Sequence, residues 1–201
     1  MKRYNKNQIK ELNELLKNGG VISVPTDTVY GICGSIKSRK ARTKLKEIKN
    51  RPASKLFPIM CADIEQIKSV AIVDNKSEKI IKEFMPGPIT IVLRKKEKLP
   101  EYINNGKETI AIRMATSNEL KELIKILGCP VFMTSANKSG EEVCKKLEDI
   151  ERKCPDLDGM LEGTVSFGQA STIVDCISNE IKILREGPIS EDEIMKALNK
   201  T

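Results

Sequence analysis

An apolar run that meets a proline and then a cluster of hydroxyl groups most constrains the fold, and it occupies residues 19–31. Residues 21–24 are mainly apolar and β-branched, which is typical of a strand inside a sheet. Pro25 lacks a backbone donor and has a fixed φ, so the strand is predicted to end there. The polar side chains that follow are Thr26, Asp27, Thr28 and Tyr30. Their density favours a loop around a small polar ligand, whereas the alternative is a turn whose side chains serve only the backbone.

The chain contains no histidine, and this absence removes several classes of catalytic mechanism. A Ser-His-Asp triad, a Cys-His dyad, a histidine general base and imidazole-ligated metals are all excluded. Any catalysis must therefore use lysine, arginine, carboxylates, hydroxyls, backbone groups and a metal that arrives with the substrate. The net charge of +7 favours anionic partners such as nucleic acid or phosphorylated small molecules, although a generally lysine-rich surface also explains it.

Length and composition predict one domain over residues 1–201, because 39% of the residues are apolar and no repeat or linker divides them. The six cysteines include no Cys-x-x-Cys pair, so we expect reduced thiols and no structural zinc. Residues 1–17 are charged and lack the apolar core of a signal peptide. No apolar run approaches the roughly 20 residues that cross a bilayer, so we expect a cytoplasmic protein without membrane association.

The spacing of apolar residues and the positions of glycine, proline and capping residues predict an alternation of helices and strands along the chain. Helices are expected at residues 9–16, 41–49, 64–70 and 78–85, and after capping boxes at Thr116-Ser117-Asn118-Glu119 and Ser190 with Glu193, ending at Leu127 and Leu198. Strands are expected at residues 21–24, 56–61, 89–93, 109–113, 131–133, 172–176 and 181–184. The first helix is expected to end at Asn18-Gly19 and the second to be stopped by Pro52.

Polar residues collect where the predicted strands stop. Residues 134–140 form a second cluster of hydroxyls and an amide after one strand, and Ser171-Thr172 stands before another. Arg113 and Arg185 lie at strand ends. Because strand ends in an α/β sheet border a crevice, the pattern predicts an α/β fold with a ligand site there.

Six motifs in this order resemble the YrdC-type threonylcarbamoyl-AMP synthases. They are Pro25-Thr26-Asp27-Thr28-Val29-Tyr30-Gly31, Lys49-Asn50-Arg51-Pro52, Pro86-Gly87-Pro88-Ile89-Thr90, Ser135-Ala136-Asn137, Ser171-Thr172-Ile173-Val174-Asp175 and Ile183-Leu184-Arg185-Glu186-Gly187. The resemblance implies one α/β domain whose twisted, open, mainly parallel sheet is flanked by helices around a basic cavity. The length of the sequence predicts the short form of the family, without the extra C-terminal domain of the longer members.

The activity implied by this resemblance is the condensation of L-threonine, bicarbonate or CO2, and ATP into threonylcarbamoyl-AMP and pyrophosphate. The product serves the N6-threonylcarbamoyl modification of adenosine 37 in tRNA. Mg2+ is expected to arrive with ATP, and no organic cofactor is implied. Candidate macromolecular partners are tRNA and the downstream threonylcarbamoyl transferase complex.

The resemblance also implies roles for particular residues. Catalysis and ATP binding would fall to Lys49 and Arg51, since preorganised cations stabilise charge that develops on phosphates. The other implied ATP-binding residues are Ser135, Asn137 and Arg185. The threonine carboxylate would be held by Arg113. The implied threonine pocket also contains the side chains of Thr26, Thr28, Tyr30 and Ser171.

Two stretches depart from the family pattern. Many members have a Pro-x-His-Pro turn after the arginine, whereas Met114-Ala115-Thr116-Ser117 stands here, so contacts from that turn are not carried over. Ile32-Cys33-Gly34 also replaces the commoner sequence after the first loop, and Cys33 is interpreted as a packing residue because no base is available to activate it.

Two other functions remain open from the sequence. A basic RNA-binding or ribosome-associated protein could use the same concave surface, although the chain has no tryptophan and only 3% aromatic residues for base stacking. The second alternative is a carbamoyl-adenylate enzyme, similar to the related domain of hydrogenase-maturation proteins.

Overall fold

The strands pair into one sheet in a computed structural model, which describes residues 1–52, 54–165, 170–178 and 180–199. In chain order the strands are β1 Arg3–Tyr4, β2 Ile22–Pro25, β3 Tyr30–Ser35, β4 Ile59–Cys61, β5 Ile89–Arg94, β6 Thr109–Met114, β7 Val131–Ser135, β8 Gly159–Leu161, β9 Thr172–Asp175 and β10 Lys182–Arg185. The helices are α1 Ile9–Lys17, α2 Arg39–Lys49, α3 Ile64–Val70, α4 Asn75–Phe84, α5 Asn118–Leu127, α6 Leu147–Lys153 and α7 Glu191–Asn199.

The strand order across the sheet is β1-β8-β2-β3-β7-β4-β6-β5-β9-β10. The α/β class and the open sheet are therefore confirmed, but the expectation of a mainly parallel sheet was wrong. Among the described strands, β1–β8, β2–β8, β4–β6 and β5–β9 are parallel, and the other five pairings are antiparallel. Short connections after β2 and β9 account for two of the antiparallel pairings, because a hairpin can join only antiparallel neighbours.

The two faces of the sheet bury different sets of side chains, as expected when successive residues of a strand point to opposite sides. Ile22 and Val24 pack with Leu12 and Leu16 of α1 and with residues of α5. Their neighbour Val21 belongs to the core on the other face, together with side chains of α2, α3, α4 and α7. Helices thus cover both faces and leave the strand ends available for a site.

Most predicted helices are confirmed, and their ends have identifiable causes. Helix α1 is followed by Asn18, whose backbone N–H donates to Glu14 O, and by Gly19, whose N–H donates to Leu16 O. Helix α2 ends one residue before Asn50, which adopts the left-handed conformation at φ 45°. Asn50, rather than Pro52, therefore stops this helix. Lys49 consequently remains in the last helical turn and faces the interior, where it is 2% exposed.

The two predicted capping boxes had different outcomes. Ser190 and Glu193 bond reciprocally before α7, with 2.8 Å between Ser190 N and Glu193 Oε2. The box proposed at residues 116–119 was wrong, because Ser117 is the N-cap of α5 and its Oγ accepts from Leu120 N at 3.1 Å. Moving the cap by one residue leaves Glu119 in the first turn of α5, where it does not close a box.

Several strand predictions also need correction. The strand expected over residues 56–61 covers only Ile59–Cys61. Strands β1, β3 and β8 and helix α6 were not predicted, and β3 begins at Tyr30, which had been placed in the ligand loop. The six cysteines are free and buried, as expected. Within the described residues, no helix is long and apolar enough to span a bilayer.

Candidate active site

The turn between β2 and β3 is held together by Thr26. Its hydroxyl donates to Val29 O at 2.6 Å and accepts from the backbone N–H groups of Thr28 and Val29 at 3.3 and 3.2 Å. The Thr28 hydroxyl lies 3.2 Å from that of Thr26, and both residues are buried. Thr26 thus serves the backbone of the turn, and the side chain between the two threonines, Asp27, points away from this network toward Arg113.

Tyr30 connects β3 to two neighbouring segments. Its hydroxyl donates to Gly163 O at 2.8 Å, and its backbone carbonyl accepts from Ala136 N at 2.7 Å. Burial raises the pKa of the phenol. The hydrogen bond of the Tyr30 hydroxyl therefore runs to the backbone of Gly163 and not to another candidate side chain, while its carbonyl fixes the loop that carries Asn137.

Lys49, Ser135 and Asn137 form one polar group at the C-terminal end of β7. Lys49 Nζ donates to Ser135 O at 2.7 Å and to Asn137 Oδ1 at 2.9 Å. Ser135 Oγ donates to the same Asn137 oxygen at 2.5 Å, and Asn137 Nδ2 donates to Lys138 O and Glu141 O at 2.9 and 2.7 Å. Three residues predicted to contact ATP are thus brought together.

The Lys49 ammonium lies in an environment that disfavours its charge. Its pKa is lowered to about 8, mainly by burial and secondly by the charge of the Arg51 guanidinium. Its hydrogen-bond acceptors are uncharged oxygens, and within the described part of the chain no carboxylate oxygen lies within 4 Å. A buried cation without a countercharge favours an anionic ligand.

Arg51 follows α2 but its side chain turns away from the Lys49 group. Nε donates to Lys55 O at 3.1 Å, Nη2 donates to Leu56 O, and the guanidinium lies 4.8 Å from the centre of the Phe57 ring. Burial lowers the pKa of Arg51. In this conformation Arg51 therefore affects the Lys49 group through its charge, which lowers the pKa of Lys49.

A second polar group is formed by Arg185 at the end of β10, Ser171 immediately before β9 and Thr90 of β5. Arg185 donates to Ser171 O from Nε at 3.0 Å and from Nη2 at 2.7 Å, and Nη2 lies 3.1 Å from Ser171 Oγ. The hydroxyls of Ser171 and Thr90 are 2.9 Å apart. A Cβ at Gly187 would overlap the backbone of residues 170–172, so glycine permits this close approach. Arg185, predicted to contact ATP, thus lies with Ser171, predicted to contact threonine.

Thr90 was not singled out as a site residue, although its sequence context carried a signal. It is a buried hydroxyl between Ile89 and Ile91, in a strand whose other early residues are apolar. A polar side chain in such a strand needs a partner, which here is Ser171.

Arg113 contacts the β2–β3 turn through an ion pair with Asp27. Both Asp27 oxygens accept from Nη2 at 3.0 and 3.2 Å, and the two side chains are 12% and 22% exposed. Arg113 Nε is buried and has no hydrogen-bond partner in the described structure. Asp27 was not among the predicted site residues, and the only signal for it was a carboxylate within a cluster of hydroxyls.

The guanidinium groups of Arg113 on β6 and Arg185 on β10 also interact electrostatically. Burial lowers the pKa of the Arg185 guanidinium, and the charge of Arg113 lowers it further. Both cations therefore lie in one region, where an anion would be stabilised by each of them.

A cavity of about 530 Å3 opens beside this turn. Its lining includes Asp27 and Thr26, the start of α5 and the segment after β8. The segment that stands in place of the Pro-x-His-Pro turn lines this cavity through Thr116 and Ser117. The cavity thus adjoins the Arg113 group.

A sequence model of the Sua5_yciO_yrdC family, whose description is telomere recombination, matches residues 14–187. The chain belongs to this family. Threonylcarbamoyl-AMP synthase of Bacillus subtilis is 33% identical over 93% of this chain and 55% of its own length. A putative threonylcarbamoyl-AMP synthase of Methanocaldococcus jannaschii is 33% identical over 92% of this chain and 90% of its own length.

Among solved structures, Pyrococcus abyssi Sua5 complexed with L-threonine has a TM-score of 0.90 at 27% identity, covering 98% of this chain and 60% of that one. This member of the Sua5/YciO/YrdC family therefore spans little more than half the length of the Bacillus and Pyrococcus proteins, but most of the Methanocaldococcus one.

Proposed function

We propose that this protein is an L-threonylcarbamoyladenylate synthase, which condenses L-threonine, bicarbonate or CO2, and ATP into threonylcarbamoyl-AMP and pyrophosphate. The observation that carries the proposal is the buried ammonium of Lys49, together with a second cationic group formed by the mostly buried Arg113 and by Arg185. It is supported by relatives named for this activity that align with most of the chain.

In this proposal the Lys49 group receives the triphosphate. The ammonium stabilises charge that builds up as pyrophosphate leaves, and Ser135 and Asn137 fix its position through the hydrogen bonds described above. Arg51 contributes charge to the same region and would add a bidentate contact if its side chain left residues 55–57. Mg2+ enters as part of the ATP complex.

The Arg113 group receives the amino acid. A guanidinium binds a carboxylate through two parallel hydrogen bonds, so Arg113 holds the threonine carboxylate. Ser171, Thr28 and Tyr30 line the pocket, and Thr26 fixes the turn that carries it. Hydroxyl groups that pair with the substrate hydroxyl would reject analogues without it, because unpaired buried groups would remain.

The chemistry of the proposed reaction needs both groups. The threonine amine attacks CO2 and loses a proton, or attacks bicarbonate with loss of water, and a carbamate forms. A carbamate oxygen then attacks the α-phosphorus of ATP, and the bond from that phosphorus to pyrophosphate breaks. Holding both reactants in contact makes the step effectively unimolecular. The product would then pass to a threonylcarbamoyl transferase that modifies tRNA in the cytoplasm.

Product analysis with carbon-labelled bicarbonate tests the proposal. Purified protein is incubated with ATP, Mg2+ and L-threonine, and the expected result is label in a threonine adduct of AMP with release of pyrophosphate. Reactions without threonine, and with a Lys49→Met variant, are the controls. Absence of labelled adduct together with a salt-sensitive tRNA shift would instead support RNA binding, for which the net charge of +7 is the argument.

A further inference from the structure

Asp27 is the acidic side chain of the β2–β3 turn, and it neutralises Arg113 within a mostly buried pair. The side chains are 22% and 12% exposed, so water screens the pair only in part. Both carboxylate oxygens approach the same nitrogen, Nη2, at 3.0 and 3.2 Å. Asp27 therefore supplies the countercharge but accepts from only one nitrogen of the guanidinium.

A second nitrogen of the Arg113 guanidinium is left without a hydrogen-bond acceptor in the described structure. Nε is buried without a hydrogen-bond partner among the described residues, which costs free energy in the ligand-free protein. A carboxylate fits a guanidinium best when its two oxygens take two different nitrogens. A ligand carboxylate that reached both Nε and Nη2 would thus satisfy Arg113 more completely than Asp27 does.

Asp27 can leave Arg113 without unfolding the turn. The backbone of the turn is held by the Thr26 hydroxyl, not by the Asp27 side chain. Asp27 also lines the cavity of about 530 Å3, which offers space for a rotated carboxylate. The polar groups that line the same cavity include Lys6, Thr116, Ser117, Glu119 and Glu162. The two carboxylates repel a rotated Asp27, whereas Lys6 attracts it and could receive it. The direct ion pair with Arg113 holds Asp27 while the subsite is empty.

We infer that Asp27 is a displaceable counter-ion, which occupies the carboxylate subsite on Arg113 and is replaced there by the carboxylate of the amino-acid substrate. The inference rests on the proposed function for the identity of that amino acid. Asp27 is then a specificity-determining residue. An anion binds to Arg113 only if it displaces the Asp27 carboxylate, so ATP phosphates are disfavoured at Arg113.

An Asp27→Asn variant tests this competition, because asparagine keeps the shape of the side chain and removes its charge. Dissociation constants are measured by calorimetry for L-threonine and for threoninol, the analogue in which an alcohol replaces the carboxylate. Threonine is expected to bind roughly three- to tenfold more tightly to Asp27→Asn, in line with a partly exposed ion pair. Threoninol cannot replace Asp27, so its affinity should stay unchanged.

Two further variants complete the experiment. Glu97→Gln makes the same change in net charge at an exposed position and should leave both affinities unchanged. Asp27→Ala removes the side chain altogether and should also tighten threonine binding, with circular dichroism to verify folding. A merely structural role of Asp27 would weaken binding in both Asp27 variants.

The outcomes separate this inference from the proposed function. Weaker binding of threonine and threoninol to folded Asp27→Asn would assign Asp27 to the substrate ammonium group and overturn the inference, and unchanged threonine affinity would overturn it as well. If the wild type makes no threonine adduct but binds another α-amino acid, the proposed function fails and the same comparison is made with that amino acid. If no amino acid binds to the wild type or to either Asp27 variant, the inference fails too.

Discussion

Replacement of Lys49 by methionine should lower turnover far more than it weakens threonine binding. Methionine keeps an unbranched, apolar side chain of similar length in a position that is 2% exposed, and it removes the ammonium. The loop retains hydrogen bonds of its own, because Ser135 Oγ still donates to Asn137 Oδ1 and Asn137 Nδ2 still donates to Lys138 O and Glu141 O. The variant is therefore expected to fold.

The magnitude follows from the contact that would be lost. A charge-assisted hydrogen bond to a phosphate oxygen is worth about 1.5–3 kcal/mol, which corresponds to a loss of roughly ten- to hundredfold in rate. The threonine carboxylate is assigned to Arg113, so the dissociation constant of threonine should change by less than about twofold.

The assay combines steady-state release of pyrophosphate with calorimetric titration of threonine. Lys46→Met is the matched control, since Lys46 lies on the same helix, carries the same charge and is only partly buried. The reasoning would be refuted if Lys49→Met lost threonine affinity as strongly as turnover, or if Lys46→Met were equally impaired.

Four other outcomes are expected. Arg113→Lys should weaken threonine binding about ten- to hundredfold and leave ATP affinity unchanged in calorimetry, because lysine lacks the bidentate fork. Chelation of Mg2+ should abolish pyrophosphate release, and excess Mg2+ should restore it. Thr90→Val removes the hydrogen-bond partner of the Ser171 hydroxyl, so titration should show threonine binding that is a few-fold weaker, a loss of about 1 kcal/mol. Burial lowers the pKa of Lys49 from 10.5 to about 8, so the unfolded chain binds more protons between these pH values. The free energy of unfolding of the wild type should therefore rise across that range relative to Lys49→Met, as measured by urea denaturation.

The helices were predictable because their signals are local. The apolar spacing of α3 gave both of its ends at residues 64–70. Strands β1 and β8 were missed because they contain two and three residues, and each is defined by a distant partner, such as Tyr4 opposite Leu161. No short-range pattern encodes such a pairing. The direction of β7 could not be predicted for the same reason, because it pairs antiparallel with β3 and β4, which are distant in sequence.

The chemistry of the site was also more predictable than its contacts. The resemblance placed Lys49, Arg51, Ser135, Asn137 and Arg185 in one ATP-binding set. The fold brings Lys49, Ser135 and Asn137 within hydrogen-bond distance, whereas Arg51 and Arg185 bond elsewhere. The partner of Arg113 was not predicted, because Asp27 lies 86 residues away and reaches it only through the order of strands in the sheet. A resemblance assigns roles to single residues, whereas a countercharge depends on the register of the whole sheet.

Arg185 illustrates why a division into an ATP half and a threonine half is too simple. Its Nε and Nη2 donors are bonded to Ser171, which was assigned to threonine, and its charge acts together with that of Arg113. The proposed reaction requires such a junction, because the carbamate formed on threonine must reach the α-phosphorus of ATP. In the proposed reaction, a cation at this boundary would stabilise the carbamate and the phosphate alike.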